Sequence, residues 1–581
     1  MTRNWRFAPH DESRIRSLAG ALNVSPLLAQ VLLSRGYETP ESARDFLAAR
    51  LIDLHPPEQL PGIDAATDQV LSALESGRRI TIYGDYDVDG TTATSILWHC
   101  LRMLNANVDY YIPSRTEEGY GLNQEAIRKL SEEDPDRLLI SVDCGIASVD
   151  EGRLASELGM DLIVTDHHQM GETLPEAVAL VHPRLPGSVY PFGDLCGAGV
   201  AFKLAWSICQ RRGEDGKATP RMREFLKQAV GLAAIGTVAD VVPLLDENRV
   251  LVRYGLESLS ERPPLGIRTL MKAAEMDTDK PLEAEDVAFT LGPRINAAGR
   301  LGQARLAVEL LTTDDPERAQ QLADYLNQLN KQRQTVERRI FKQAREQVES
   351  HPDWLDHPTL VIAHEEWHPG VIGIVANRVA EHFEKPTFLV AIDPATQQGQ
   401  GSGRSHAGFN LHEALQSCKE YLLKFGGHQA AAGLRIRADG LEGFREALRL
   451  HAVEFHKPSS TELELRIDAE IRLADVSHRA VSELNRLGPF GHRNHRPRFA
   501  ATRVELDGPP RKMGEGERHL SLDLRQHDTR IRAVAFGKGD WADEIAKVNG
   551  PLAITFEPNI NRWRGRESVQ LFLLDWQADE S

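Results

Sequence analysis

The stretch ITIYGDYDVDGTTATS, residues 80–95, sets Asp85, Asp87 and Asp89 on alternate positions between a short apolar, β-prone run and a glycine followed by small residues. Carboxylates crowded this closely repel one another and raise one another's pKa unless a cation shares them or bulk water dilutes the field. A solvated acidic turn and a metal site both fit an isolated D-x-D-x-D pattern. The surrounding chain has to decide between them.

Working outward, short apolar runs recur: RITIY (79–83), VDYYI (108–112), LLISV (138–142), DLIVT (161–165) and AVALV (177–181). Segments 91–106, 122–134 and 147–159 between them are long enough for crossover helices. This alternation predicts an α/β fold with a doubly wound, mostly parallel sheet. In that architecture ligands collect at the carboxyl ends of the strands. Further acids and histidines fall there: Asp143 after LLISV, then Asp166, His167 and His168 after DLIVT, with Asp240 closing the helical run FLKQAVGLAAIGTVAD. Taken singly, Asp143 and Asp240 read equally well as helix caps and the histidine pair as a solvated loop. Taken together at successive element ends, they form one oxygen-and-imidazole donor set that suits Mn²⁺ or Mg²⁺ better than structural zinc.

The 581 residues exceed one core and call for several domains. DDPERAQQLADYLNQLNKQRQTVERRIFKQAREQVES, from 314, lacks glycine and carries leucines near helical spacing, predicting a strut of roughly 50 Å. A second, smaller α/β segment follows, and after 460 the chain turns β-rich, suggesting a small OB-like β-barrel. The expected domains are 1–75, a helical region packing on the catalytic core; 76–313, catalytic; 314–350, the connecting helix; 351–457, substrate-binding; and 458–581, the barrel. The five scattered cysteines and the lack of an apolar leader point to a cytoplasmic protein with no membrane segment. The net charge of −17 does not exclude nucleic acid, because a partner feels only the field within roughly 8 Å.

The motifs GDYDVDGTTA, SVDCG, VTDHHQ and IGTVADVVPL, in this order, resemble those of the DHH phosphoesterases. The resemblance continues through GPRINAAGRLG (292–302), GSGRS (401–405) and FGGHQAAAG (425–433) and spans nearly the whole chain. The added barrel matches the members of that family that degrade single-stranded DNA. The resemblance implies two ions, Mn²⁺ or Mg²⁺, per active site. Asp85, Asp87 and Asp143 would hold one, and Asp89, Asp143, His167 and Asp240 the other. His168 would act at the scissile phosphate, and Asp166 would orient the histidines.

It further implies a 5′-to-3′ exonuclease releasing mononucleotides from single-stranded DNA in repair and recombination. A monomer is expected, with a RecQ-type helicase and a single-strand-binding protein as partners. Arg294, Asn296, Arg300, Ser402, Arg404, Ser405, Gly426, Gly427 and His428 would grip the strand near the metals. In the barrel, Arg496 and Arg498 beside Phe490 and Phe499, and Trp563 among Arg562, Arg564 and Arg566, combine phosphate contacts with base stacking. His492, Arg493 and His495 depart from the family's less basic pattern after PFG. Competing readings are a DHH phosphodiesterase for short oligonucleotides or cyclic dinucleotides, which lacks such a barrel, and a dead DNA-binding scaffold, which would have lost metal-site acids.

Overall fold

The computed structural model describes residues 4–115, 118–455, 464–563 and 566–579, apart from the side chain of Trp563. The chain divides into two compact units: residues 54–242 with 250–460, and residues 1–53 with 243–249 and 461–581.

The larger unit is built on a five-stranded, wholly parallel sheet. Its strands are β1 (Ile80–Gly84), β2 (Val108–Tyr111), β3 (Leu138–Val142), β4 (Asp161–Thr165) and β5 (Ala179–Val181), in the order β2-β1-β3-β4-β5. Every residue of β1 and β3 is buried, as a sheet covered on both faces requires. One face packs Tyr83, Leu139, Leu162 and Val164 against apolar residues of two crossover helices, including Ile127, Leu130 and Ala155. Toward the other lie helices α1 (Val88–Met103), α2 (Gly197–Arg212) and α3 (Pro220–Ala239), which pack on one another. The register pairs Gly84 with Val142 and Val142 with Thr165, so Asp85, Asp143 and Asp166 leave the sheet at one edge.

Helix α4 (Gly292–Arg300) leads into α5 (Pro316–Ser350), whose start is capped by Asp315 accepting from the amides of Glu317 and Arg318. The first half of α5 buries Leu322, Leu326 and Leu329. Its second half adds Ile340, Ala344 and Val348 to the core of the next domain, against Leu360, Val371 and Leu389. That domain carries α6 (Pro369–Phe383) and a mixed sheet of β6 (Leu360–His364), β7 (Thr387–Asp393), β8 (Gln398–Arg404), β9 (Leu422–Gly427) and β10 (Ala431–Arg437), ordered β9-β10-β8-β7-β6. Only β6 and β7 pair in parallel.

The smaller unit holds a closed barrel of β11 (Phe499–Leu506), β12 (His519–Gln526), β13 (Thr529–Ala535), β14 (Leu552–Trp563) and β15 (Arg566–Ala578). Pairing runs β11-β14-β15-β13-β12 and back to β11, with β13–β15 parallel. This is the five-stranded connectivity of an OB-fold. Three helices, Glu12–Leu22, Pro26–Ser34 and Pro40–Ala48, share one apolar core with this barrel, and strand Asn4–Phe7 pairs in parallel with Glu464–Ile467. The expected division at residue 75 needs correcting here. Residues up to 53 pack with the barrel, and those from 54 to 75 belong to the larger unit. Among the described residues no single helix is long and apolar enough to cross a membrane, and all five cysteines are buried and unpaired as disulfides.

Candidate metal centre and substrate cleft

The GDYDVDG loop turns directly from β1 into α1. Asp87 caps that helix, its Oδ1 accepting from the Gly90 amide at 3.0 Å, while Asp85 and Asp89 are buried on either side. Asp89 is fixed at both oxygens by the start of α2, accepting from the amides of Gly197 (2.6 Å) and Ala198 (2.9 Å). A helix N-terminus favours a negative side chain through its unpaired amides and dipole. Three glycines make the crowding feasible. A Cβ at Gly197 would lie 2.5 Å from Asp143 Oδ1, one at Gly90 would lie 2.6 Å from Asp85 Cβ, and one at Gly236 would collide with Asp89 Oδ1.

Asp143 takes φ +61°, a left-handed conformation that costs a non-glycine residue energy and concentrates at functional sites. Its Oδ1 lies 3.1 Å from His167 Nε2, which is 3.7 Å from Asp240 Oδ2 and 3.8 Å from Asp89 Oδ2. Two donor sets result: Asp85, Asp87 and Asp143 in one, and Asp89, His167 and Asp240 in the other, each with donor atoms within 4.8 Å of one another. Asp143 also groups with His167 and His168, so it stands between the two.

The chemistry of these atoms fits divalent cations. Asp85 Oδ1, Asp143 Oδ1 and His167 Nε2 are buried and make no hydrogen bond. Three convergent lone pairs without donors are costly unless a cation meets them. Burial and mutual repulsion push Asp85 and Asp143 well above the usual carboxylate range, and Asp240 up to about 8. Burial holds His167 down at about 4, which keeps its imidazole neutral and so able to ligate a cation. Oxygen donors with one imidazole match Mn²⁺ or Mg²⁺.

Asp166 belongs to neither donor set. Its Oδ1 accepts from the amides of His167 (2.7 Å) and His168 (3.1 Å) and lies 2.8 Å from His168 Nδ1, and its Oδ2 accepts from the Ile146 amide. Burial alone would raise Asp166 and lower His168. The hydrogen bond and charge between them win, taking Asp166 to about 2 and His168 to about 9.

A cleft of about 710 Å³ opens beside His168, lined by Tyr120, Ser148, Arg128, Lys424 and His428 among others. His428 sits in the β9–β10 turn, where Gly427 takes φ +130°. Gly299, in α4, abuts the Tyr86 carbonyl so closely that a Cβ would clash, which brings Arg300 to the edge of the acidic loop. Burial, then Arg115, Arg333 and Arg404, press Arg300 down to about 9, and burial with Arg115 lowers Arg404. Guanidinium groups that depress one another mark positive charge gathered in one place. Arg404 donates to Ser402 Oγ at 3.1 Å, and both pack on Gly373 of α6. Asn296 Oδ1 is buried without a hydrogen bond.

Other sequence candidates fall elsewhere. Arg294 is held by the Thr290 carbonyl and Asn327, and the Ser405 hydroxyl donates to the Phe409 carbonyl, so both are tied up in structure. Phe499 is in the barrel core and Phe490 is buried, so neither offers a face to a base. Arg496 lies over the Phe490 ring, and Arg498 and Arg562 pair with Glu557 and Glu567. Arg564 and the Trp563 side chain lie outside the described residues. Missed from the sequence were Arg115 and Tyr120, on a loop whose only signal was glycines flanking an aromatic residue.

Family models match the chain as a DHH family N-terminal domain over 79–237, a DHHA1 domain over 356–453 and a RecJ OB domain over 467–575. A single-stranded-DNA-specific exonuclease RecJ of Bacillus subtilis is 38% identical over 580 residues, covering 99% of this chain and 71% of that protein. The chain belongs to the RecJ family. The RecJ of Escherichia coli is 34% identical, covering 94% of this chain and 95% of its own. The RecJ of Thermus thermophilus solved in complex with Mn²⁺ superposes with a TM-score of 0.83 at 32% identity, covering 100% of this chain and 80% of that one. The same protein in complex with Mg²⁺ gives 0.76 at 30% identity, covering 100% and 79%. The RecJ complexes thus carry the two cations that the donor chemistry selects.

Proposed function

We propose that this chain is a metal-dependent exonuclease that degrades single-stranded DNA from its 5′ end to mononucleotides. The observation that carries the reading is the pair of donor sets with Asp143 between them, beside a cleft edged by converging arginines. Asp85, Asp87 and Asp143 would hold one Mn²⁺ or Mg²⁺, and Asp89, Asp143, His167 and Asp240 the other. The chemistry that such ions supply when bound is neutralisation of phosphate charge and acidification of a water. His168, kept protonated by Asp166, would offer a proton from Nε2 to the leaving oxygen of the terminal nucleotide.

Arg115, Arg300 and Arg404, with Ser402, Asn296 and the His428 turn, would hold the 5′-terminal phosphate. Charge-assisted contacts from several guanidinium groups suit a terminal phosphate dianion better than an internal diester, which supports an anchor at a strand end. In the barrel the strand-stacking role passes from the expected Phe490 and Phe499 to an outer ledge. Phe536, 62% exposed, stands 5.4 Å from the His519 ring and 5.7 Å from Phe572. Around it Arg518, Arg532 and Lys538 have no carboxylate partner among the described residues, unlike Arg511, Arg525 and Arg530. An exposed aromatic cluster with unpaired cations suits single-stranded nucleic acid. Cytoplasmic location, action in repair and recombination, a monomeric state, and partnership with a RecQ-type helicase and a single-strand-binding protein complete the reading.

Oligonucleotides blocked at one end and labelled at the other test it. Degradation that a 5′ block stops and a 3′ block does not is the expected result; the reverse would overturn the polarity and the phosphate anchor together.

A further inference from the structure

We propose that Tyr120 is a positioning residue that fixes the His168 imidazole in the orientation its chemistry needs. The inference rests on the role given above to His168.

Tyr120 lies between Gly119 and Gly121, whose φ values of +89° and +88° belong to the left-handed region that glycine enters without steric cost. The turn is pinned from below, because the buried Tyr83 of β1 donates its hydroxyl to the Gly121 carbonyl at 3.2 Å. The Tyr120 side chain is thereby carried to the edge of the metal centre. Its Oη lies 3.0 Å from His168 Nδ1 and donates toward the Asp143 carbonyl at 3.4 Å, and the two rings meet edge to face at 5.4 Å.

The hydrogen-bond roles follow from counting protons. The hydroxyl has one proton, and the Asp143 carbonyl can only accept it. Nδ1–H of His168 is then shared between Asp166 Oδ1 at 2.8 Å and Tyr120 Oη at 3.0 Å. Asp166 alone would leave a 38% exposed imidazole anchored at one point, free to swing about that contact. A second acceptor from a different loop fixes the ring plane and, with it, the direction of Nε2. The same hydroxyl ties that ring to the backbone of Asp143, the residue between the donor sets.

Tyr120→Phe keeps the ring and removes only the hydroxyl. With a five-nucleotide substrate, kcat is expected to fall about tenfold, the cost of a modestly misplaced catalytic group. KM and the Mn²⁺ dissociation constant, measured by calorimetry, should stay unchanged. In a His168→Ala background the same substitution should cost nothing further, because a residue that acts only through the histidine has nothing left to position. Losses that multiply in the double variant, or a raised KM with kcat intact, would overturn the proposal while leaving the role of His168 standing. Undiminished turnover by His168→Ala alone would remove that role, and the proposal with it.

Discussion

Replacing Asp143 with asparagine should stabilise the metal-free protein and destabilise the metal-loaded one relative to wild type. Asparagine tolerates the left-handed φ of this position and has nearly the same shape beside Gly197, so the change is one of charge. Asp143, Asp85 and Asp87 bring oxygens within 4.8 Å of one another. At that separation each pair of full charges costs about 3.5 kcal/mol with an effective dielectric constant of ~20. The metal-free fold avoids this by keeping protons, which is why burial and the neighbouring acids raise Asp143 and Asp85 so far.

The sign follows from proton counting. The native state binds more protons than the unfolded chain above the unfolded value near 3.9, so stability falls as pH rises from about 4 toward the raised native value. A carboxyl that must stay protonated in the fold costs more stability the higher the pH, and asparagine removes that cost. In Mn²⁺ the order inverts. Wild type gains about 2.7 kcal/mol at a hundred times Kd, while the variant lacks the shared ligand. Thermal melts in EDTA and in Mn²⁺, at pH 5 and pH 8, read both effects. A variant that melts below wild type in EDTA at pH 8, or that keeps the full Mn²⁺ shift, would refute the reasoning.

Gly197→Ala should abolish Mn²⁺ binding although it touches no ligand bond, because its Cβ would occupy the space of Asp143 Oδ1; calorimetry decides. His168→Ala should lower kcat by roughly 10²–10⁴, as loss of a general acid does, with Mn²⁺ affinity retained in the same titration. Arg404→Ala should raise KM for a 5′-phosphorylated oligonucleotide and leave a 5′-hydroxyl one little changed, and steady-state kinetics on the matched pair separates the two. Neutralising Arg518, Arg532 and Lys538 together should reduce the log–log salt slope of binding to long single strands by about 2, at roughly 0.7 per contact. Phe536→Ala should weaken the same binding without changing the slope.

The catalytic half was legible because parallel strands place successive loops at one edge, so Asp85, Asp143 and Asp166 could be brought together from strand spacing alone. The α5 boundaries were legible from Asp315, Pro316 and an uninterrupted glycine-free run. What escaped depends on side-chain direction or distant pairing. The alternation around Phe499 does not reveal which side of β11 faces inward, and closure of the barrel turns that aromatic into core. Arg115 and Tyr120 lie on a loop without periodicity, where only the tertiary approach of α4 and β3 gives them a role. Parallel pairing of Asn4–Phe7 with Glu464–Ile467 joins segments about 460 residues apart, and no local pattern encodes it.

That last pairing has a consequence for biosynthesis. Helices Glu12–Leu22, Pro26–Ser34 and Pro40–Ala48 complete their apolar core only with barrel strands that a ribosome begins some 450 residues later. At about 5–20 residues per second they wait roughly 20–90 s, during which the intervening segments can already fold. Throughout that interval Leu18, Leu28, Leu32 and Phe46 lack the barrel side chains that later bury them. The nascent chain therefore carries an unfinished apolar surface at its leading end, a natural client for a holding chaperone, until the last strand closes the barrel.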